Sequence, residues 1–217
     1  GIRLKDICNI HVGITTLCDK AYIFSVQNID NEPDFVWANT YFNGLVKIEK
    51  AILKPIIKAS KIKNAQETIK QFILFPYQKI NSKHKIIAEK DLKNDFPLAY
   101  NYLLSIKKEL DKRDNGKKNA IAWYAFGRNQ GLDTSFGKKI LFSHINKTPN
   151  FVLIEDEEST FYSGYCIKYH ADYEYLLKQL NSTRLANFIA VSSRDFRGGW
   201  KAYNKKTLED FTILNND

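Results

Sequence analysis

Eight consecutive residues, Trp123-Tyr124-Ala125-Phe126-Gly127-Arg128-Asn129-Gln130, bring together aromatic rings, a guanidinium fork and two carboxamides. Groups of these types read nucleic-acid base edges. An arginine pairs with guanine through two parallel hydrogen bonds, asparagine and glutamine do the same with adenine, and an exposed ring stacks on an unpaired base. No nucleophile accompanies them. For the rings alone, Trp123 and Phe126, a core strand is the favoured reading, with Arg128 opening a polar turn beside Gly127 or Gly131, because large aromatic side chains are usually buried. Arg128, Asn129 and Gln130 are the first candidates for base contacts, and Trp123 and Tyr124 would shape the same surface.

The charge of the chain points the same way. Its 217 residues carry a formal charge of +9, mostly lysine, which favours a polyanionic partner such as double-stranded DNA. A lysine-rich solvated surface, from an organism that overuses Lys, Asn and Ile, is the competing explanation. Three groups of basic residues stand out. Lys54, Lys58, Lys61 and Lys63 surround Pro55-Ile56-Ile57 and can line a phosphate-tracking face. Lys112, Arg113, Lys117 and Lys118 fall in a polar loop with Asn115-Gly116 as its turn, expected to be mobile until an anion binds. The most specific is Arg194-Asp195-Phe196-Arg197-Gly198-Gly199-Trp200-Lys201. There, paired glycines let the backbone approach a phosphate while Arg194, Arg197 and Lys201 supply charge; the alternative for this segment is a flexible tether. Thr15 and Thr16, in a loop opened by Gly13, complete the set of candidate backbone contacts.

Cys8, Cys18 and Cys166 form an odd, widely spaced set with no Cys-x-x-Cys pair, so neither a disulfide framework nor a zinc site is expected and the thiols are read as structural. No apolar run is long enough to span a bilayer, and no leader pattern opens the chain. The expectation is a soluble protein of the bacterial cytoplasm. A chain that opens on Gly1 and contains no methionine is read as a single domain, 1–217, excised from something larger.

The elements that must carry these groups follow from periodicity. Strand signals occur at Ile7 to Gly13, Ala21 to Val26, Phe72 to Phe75, Ile140 to Phe142, Phe151 to Ile154 and Tyr162 to Ile167. A long central helix is expected after Asn94-Asp95-Phe96-Pro97, with Tyr100, Leu103, Leu104 and Leu110 at helical spacing. A second helical region carries the stripe Tyr173, Leu176, Leu177, Leu180, breaks at Asn181-Ser182, and resumes through Leu185, Phe188 and Ile189. Strands and helices intermix without strict alternation. The fold class is therefore α+β, with mixed or antiparallel strands and C-terminal helices packed on them.

Several short motifs occur in one order along the chain. They are Val12-Gly13-Ile14-Thr15-Thr16 with Asp19-Lys20-Ala21-Tyr22-Ile23, Leu53-Lys54-Pro55-Ile56-Ile57, Ile73-Leu74-Phe75-Pro76-Tyr77, and Phe96-Pro97-Leu98-Ala99-Tyr100-Asn101-Tyr102-Leu103 followed by Leu110 and Arg113. Trp123-Tyr124 with Gly127-Arg128, Lys139-Ile140, Leu180-Asn181-Ser182 and Arg197-Gly198-Gly199 complete them. In these motifs the chain resembles the C-terminal target-recognition (specificity) domain of TaqI-like adenine-specific DNA methyltransferases and fused restriction-modification enzymes, and is more distantly similar to type I specificity subunits. Leu17 is a departure, since many relatives carry glycine after the threonine. The resemblance implies sequence-specific binding of duplex DNA, with an N-terminal catalytic domain of the same parent chain as its partner. It also implies that S-adenosylmethionine binds that other domain, with magnesium needed only if a nuclease is fused.

The segments that adenine methylation requires are missing here. An Asn-Pro-Pro-aromatic segment would hold the flipped base and a glycine-rich loop would hold the cofactor, yet no two prolines are adjacent and no Gly-x-Gly occurs. No catalytic, cofactor-binding or metal-binding residue is therefore assigned to this chain. The main rival is a metal-dependent nuclease built on Asp91-Leu92-Lys93 with Asp34, although neither segment reads as a strand core. An RNA-binding module is a third reading, without a single-strand RNA signature to support it.

Overall fold

The apolar residues of this chain fall into three adjoining cores, and the strands that separate them carry buried side chains on both faces. The computed structural model describes residues 1–27 and 33–215. The N-terminal core gathers Tyr22, Val36, Ile48, Ile73, Phe75, Leu103 and Phe126, and the C-terminal core gathers Leu4, Ile140, Ile167, Leu176, Leu185 and Phe211. A smaller cluster of Ile57, Leu141, Val152, Phe161 and Cys166 lies where the two main sheets meet.

One sheet is antiparallel and runs in the order Val152–Ile154, Lys139–Phe142, Tyr165–Tyr169, Cys8–Val12. Its register sets Leu141 opposite Cys166 and Cys166 opposite His11. All four residues of Lys139–Phe142 are buried. Successive side chains point to opposite faces, so Ile140 and Phe142 enter the C-terminal core while Leu141 enters the shared cluster. The second sheet is mixed: Thr160–Tyr162 runs parallel to Leu53–Lys58, which pairs antiparallel with Gln71–Leu74, itself paired with Ile23–Phe24. The chain passes from one sheet to the other between Tyr162 and Tyr165, through Ser163 in a left-handed conformation (φ 58°).

Side-chain caps open the two C-terminal helices. Tyr173–Leu180 opens on Asp172, whose carboxylate accepts from the backbone N–H of Glu174 and Tyr175, and Thr183–Ser192 opens on Ser182, whose hydroxyl accepts from Leu185. The break between them is pinned by Asn181, which exchanges two 2.8 Å hydrogen bonds with the backbone of Phe151. The central helix expected after Pro97 is realised as two short ones, Pro97–Ser105 and Lys107–Asp111, preceded by a further helix, Glu89–Asp95, that lies outside the expected elements. Pro97 disfavours helical geometry in the residue before it, and Phe96 accordingly sits at φ −132°, ψ 60°. Glu49, on a neighbouring strand, caps the middle helix by accepting from Leu98 and Ala99 at 2.7 and 2.9 Å.

Two hairpins lie outside the expected strands. Phe35–Thr40 pairs with Gly44–Glu49, and Tyr77–Ile80 pairs with Lys83–Ile86 through a turn at Asn81-Ser82, both at positive φ. The second is rich in lysine. Ala21 and Tyr22, expected in a strand, belong to a helical turn, Asp19–Tyr22, that precedes it. Among the described residues no helix is long and apolar enough to cross a membrane.

Candidate nucleic-acid interface

Two segments about a hundred residues apart in sequence form one surface. The loop after Cys8–Val12 is held at its start by Ile14, whose N–H donates to the Phe161 carbonyl at 2.9 Å. It then runs alongside the aromatic segment. Gly127 N–H donates to the Thr16 carbonyl at 2.9 Å, Arg128 N–H to the Thr15 carbonyl at 3.1 Å, and the Gln130 carboxamide to the Thr15 hydroxyl at 2.9 Å. Glycine is required at Gly127 because a β-carbon there would lie 2.3 Å from Leu17 Cγ. It is required at Gly131 because φ is +81° and the backbone of Gly13 passes within 2.7 Å of where a β-carbon would sit. Leu17 is left-handed (φ 60°), a conformation that glycine adopts without strain, so leucine is the less favourable residue at this position.

Arg113 ties this surface to the fold. It is buried, and its guanidinium donates to four backbone carbonyls: Leu110 through Nε at 3.0 Å, Thr16 and Ala125 through Nη1 at 2.9 and 2.8 Å, and Trp123 through Nη2 at 3.0 Å. The ring of Tyr22 lies 5.8 Å away, and its hydroxyl donates to the Tyr124 carbonyl. The 112–118 segment, expected to order only on an anion, is thus anchored from within by its own arginine. After Arg113 the chain turns through Asp114, Asn115 and Gly116, all left-handed (φ 55°, 58° and 80°). That turn carries Asp114 back to Arg128, whose Nη1 and Nη2 meet the carboxylate at 3.1 and 3.3 Å. Their pairing holds the Asp114 carboxyl below its ordinary range.

Between the 113–119 turn and the 123–129 segment opens a cleft of about 980 Å³. Leu17, Ile121 and Trp123 give it apolar walls, and Lys107, Lys117, Lys118 and Arg128 give it positive charge. Asp111 and Asp114 are its acidic residues, one paired with Lys107 at 3.2 Å and the other with Arg128. Lys117 and Lys118 are exposed and form no ion pair within 4 Å among the described residues, and the Lys117 charge helps to lower the Asp114 carboxyl. Asn129 is exposed at the mouth.

Most of the expected site residues fall on exposed or half-exposed surfaces, but burial corrects two. Tyr124 is 2% exposed and its hydroxyl is spent on the Ile87 carbonyl, so it supports the surface from beneath and cannot touch a base. Thr16 is 1% exposed, with its hydroxyl donating to Asp19 and accepting from Cys18 N–H; it shapes the loop and is out of reach of a phosphate. Trp123 is half-buried, its indole N–H donating to Glu89 at 3.0 Å and Lys107 lying over its ring, which makes it a wall of the cleft.

The other basic groups lie apart from this cleft. Lys58 and Lys61 line a second groove, of about 390 Å³, together with Lys70, while Lys54 sits half-exposed earlier on the same strand. Arg194, Arg197 and Lys201 belong to a paired hairpin, not a tether, with Phe196 opposite Trp200 and Arg197-Gly198-Gly199 at its tip. Arg194 and Arg197 are exposed, whereas the Lys201 ammonium is tied to Asp195 across the hairpin. Asp91 lies on the helix Glu89–Asp95 and Asp34 next to the strand Phe35–Thr40, and among the described residues no three His, Cys, Asp or Glu side chains gather as metal ligands. Burial pushes the Cys8 and Cys166 thiols up to about 12 and about 11, in keeping with structural roles.

Sequence reasoning missed Arg113 as a keystone and Asp114 as the partner of Arg128. One signal was present: Asp-Asn-Gly is a run of the residue types that best tolerate left-handed backbone.

No known protein-family profile matches the chain. It is 27% identical to the type II methyltransferase M.BanIII of Aneurinibacillus aneurinilyticus, over 94% of this chain and 32% of that protein. It is 25% identical to the type II restriction enzyme and methyltransferase RM.Eco57I of Escherichia coli, over 91% of this chain and 21% of that protein. The type II methyltransferase M.MjaIV of Methanocaldococcus jannaschii is 26% identical over 98% of this chain and 66% of its own length. The chain thus spans about a third and about a fifth of the first two. Its fold is similar to part of the type IIL restriction-modification enzyme MmeI, solved in complex with DNA, with a TM-score of 0.56 at 11% identity over 87% of this chain and 22% of that one. By sequence and by fold alike, this chain is similar to a segment of restriction-modification enzymes.

Proposed function

We propose that this chain is the target-recognition domain of a restriction-modification enzyme, an adenine-specific DNA methyltransferase or a combined methyltransferase and endonuclease, and that it binds duplex DNA in a sequence-specific way. The observation that carries this reading is the cleft in which Arg128 and Asn129, on a backbone locked by Arg113, face Lys117 and Lys118 across an apolar wall. Base-edge donors on a fixed frame give specificity, and unpaired cations beside them give docking on phosphates. The similarity to type II methyltransferases and to part of a DNA-bound restriction-modification enzyme supports the same reading. In it, catalysis and S-adenosylmethionine belong to another domain of the parent, magnesium enters only with a fused nuclease, and the setting is the bacterial cytoplasm.

Arg194 and Arg197 on the hairpin and Lys58 and Lys61 beside the second groove track the DNA backbone. With Lys117 and Lys118 they make six cations that form no ion pair within 4 Å among the described residues. If all six engage phosphates, log K falls with log salt at a slope of about −5, roughly a thousandfold loss between 50 and 200 mM. Fluorescence anisotropy with a labelled duplex measures this slope. Absence of binding at 50 mM salt refutes the proposal.

A further inference from the structure

The guanidinium of Arg128 has five N–H bonds. Three have partners: Nη1 donates to the Gly127 carbonyl at 2.9 Å and to Asp114 Oδ2 at 3.1 Å, and Nη2 donates to Asp114 Oδ1 at 3.3 Å. The remaining two are the Nε hydrogen and the outer hydrogen of Nη2. In a planar guanidinium these lie side by side and point the same way, forming one free donor edge. No partner for them occurs among the described residues.

Two parallel donors match one base edge in the major groove especially well. Guanine offers O6 and N7 as adjacent acceptors, whereas adenine replaces O6 with an amino donor and pyrimidines lack N7. Orientation decides whether the edge can be used, because a long exposed side chain otherwise samples many rotamers. Asp114 supplies that orientation. Its carboxylate is fixed by a turn of three left-handed residues that begins at the buried Arg113, so the frame runs without interruption from the core to the fork. Resting on the DNA-recognition reading above, we infer that Asp114 is a positioning residue that presents the Nε–Nη2 edge of Arg128 to O6 and N7 of one guanine. The sequence bound by this chain therefore contains a guanine at that step.

The test begins with a pool of randomised duplexes enriched on the chain. The wild type is expected to select a motif with an invariant guanine, and replacing that guanine with 7-deazaguanine, which lacks N7, weakens binding roughly tenfold or more. Two variants follow. Asp114→Asn suits the left-handed backbone and removes the two-oxygen clamp; Arg128→Lys keeps the charge and removes the edge. Each is expected to lose the preference at that one position, retain the rest of the motif, and become insensitive to 7-deazaguanine there. Undiminished guanine preference in either variant overturns the inference while leaving DNA recognition intact. An Asp114→Asn chain that fails to fold overturns it too, since the role is then structural. Failure of the wild type to enrich any motif refutes the recognition reading itself.

Discussion

Replacing Arg113 with methionine keeps most of the side-chain volume and removes every donor, which makes it the sharpest probe of how the surface is held. Four carbonyls, of Leu110, Thr16, Ala125 and Trp123, lose bonds of 2.8–3.0 Å at a site where the arginine is only 9% exposed. Hydrogen bonds to a charged group are each worth about 1.5–3 kcal/mol, but they share one guanidinium and do not add. Removing the cation also removes its own desolvation cost, which Arg113 bears without a carboxylate partner among the described residues. Four buried carbonyls left without donors cost about 1–3 kcal/mol each, and with the cation's own desolvation cost set against them the loss expected is about 3–5 kcal/mol. For a chain of this size that corresponds to a fall in Tm of roughly 6–20 °C. Differential scanning calorimetry measures it, and tryptophan fluorescence in a Trp37→Phe, Trp200→Phe background, where Trp123 is the remaining tryptophan, reports whether the 123–128 segment loosens first. Arg113→Lys keeps the charge but not the fork and is expected to recover less than half of the loss. A methionine variant that melts within about 1 kcal/mol of the wild type refutes the keystone argument.

Two further predictions concern packing and protonation. Gly127→Ala drives a β-carbon to 2.3 Å from Leu17 Cγ and is expected to cost about 1–3 kcal/mol, recovered largely in a Leu17→Gly background, which also relieves the left-handed Leu17; purely additive effects in denaturant titrations contradict the contact. Lys139 is fully buried, its ammonium donating to the Ser159 and Gly137 carbonyls, and burial pulls its pKa down to about 8. The unfolded lysine holds its proton to about pH 10.4, so between pH 8 and 10 the unfolded state binds more protons and this residue's contribution to stability rises with pH, by up to about 3 kcal/mol. Burial also raises the Cys8 and Tyr124 pKa values, which lowers stability at alkaline pH, so the comparison is with Lys139→Met under the same conditions. The wild type gains on that variant as pH rises from 7.5 to 9.5; a constant difference refutes the assignment.

Periodicity carried much of the fold. The stripe from Tyr173 to Ile189 with its break at Asn181-Ser182 announces two helices, and the short apolar runs at 140–142 and 151–154 mark strands in the antiparallel sheet. What periodicity does not carry is breakage. Ile106, at φ −110° and ψ 13°, interrupts the apolar helical pattern that runs from Tyr100 to Leu110, and nothing in the residue types announces that break. The hairpin at 77–86 stayed hidden because lysines on its exposed face dilute the alternation. At the candidate site, residue type pointed to Arg128 and Asn129, yet it does not distinguish an exposed tyrosine from a buried one. Tyr124 and Thr16 were placed on the surface for that reason, and both are interior. Arg113 was grouped with solvent lysines because an arginine that caps four carbonyls looks, in sequence, like one that meets phosphate. Only the contact between the 13–18 loop and the 123–131 segment, over a hundred residues away, reveals the difference.

The central claim is that the cleft reads base sequence while the hairpin holds the backbone. It is tested most directly by measuring the affinity of Arg128→Ala and Arg197→Ala for the selected duplex and for a random duplex at one salt concentration. A base contact counts only on the right sequence, so Arg128→Ala is expected to cost about 1–3 kcal/mol on the selected duplex and little on the random one. A phosphate contact is present on every sequence, so Arg197→Ala is expected to weaken both about equally. Equal losses on both duplexes for Arg128→Ala, or no loss on either, contradict the claim.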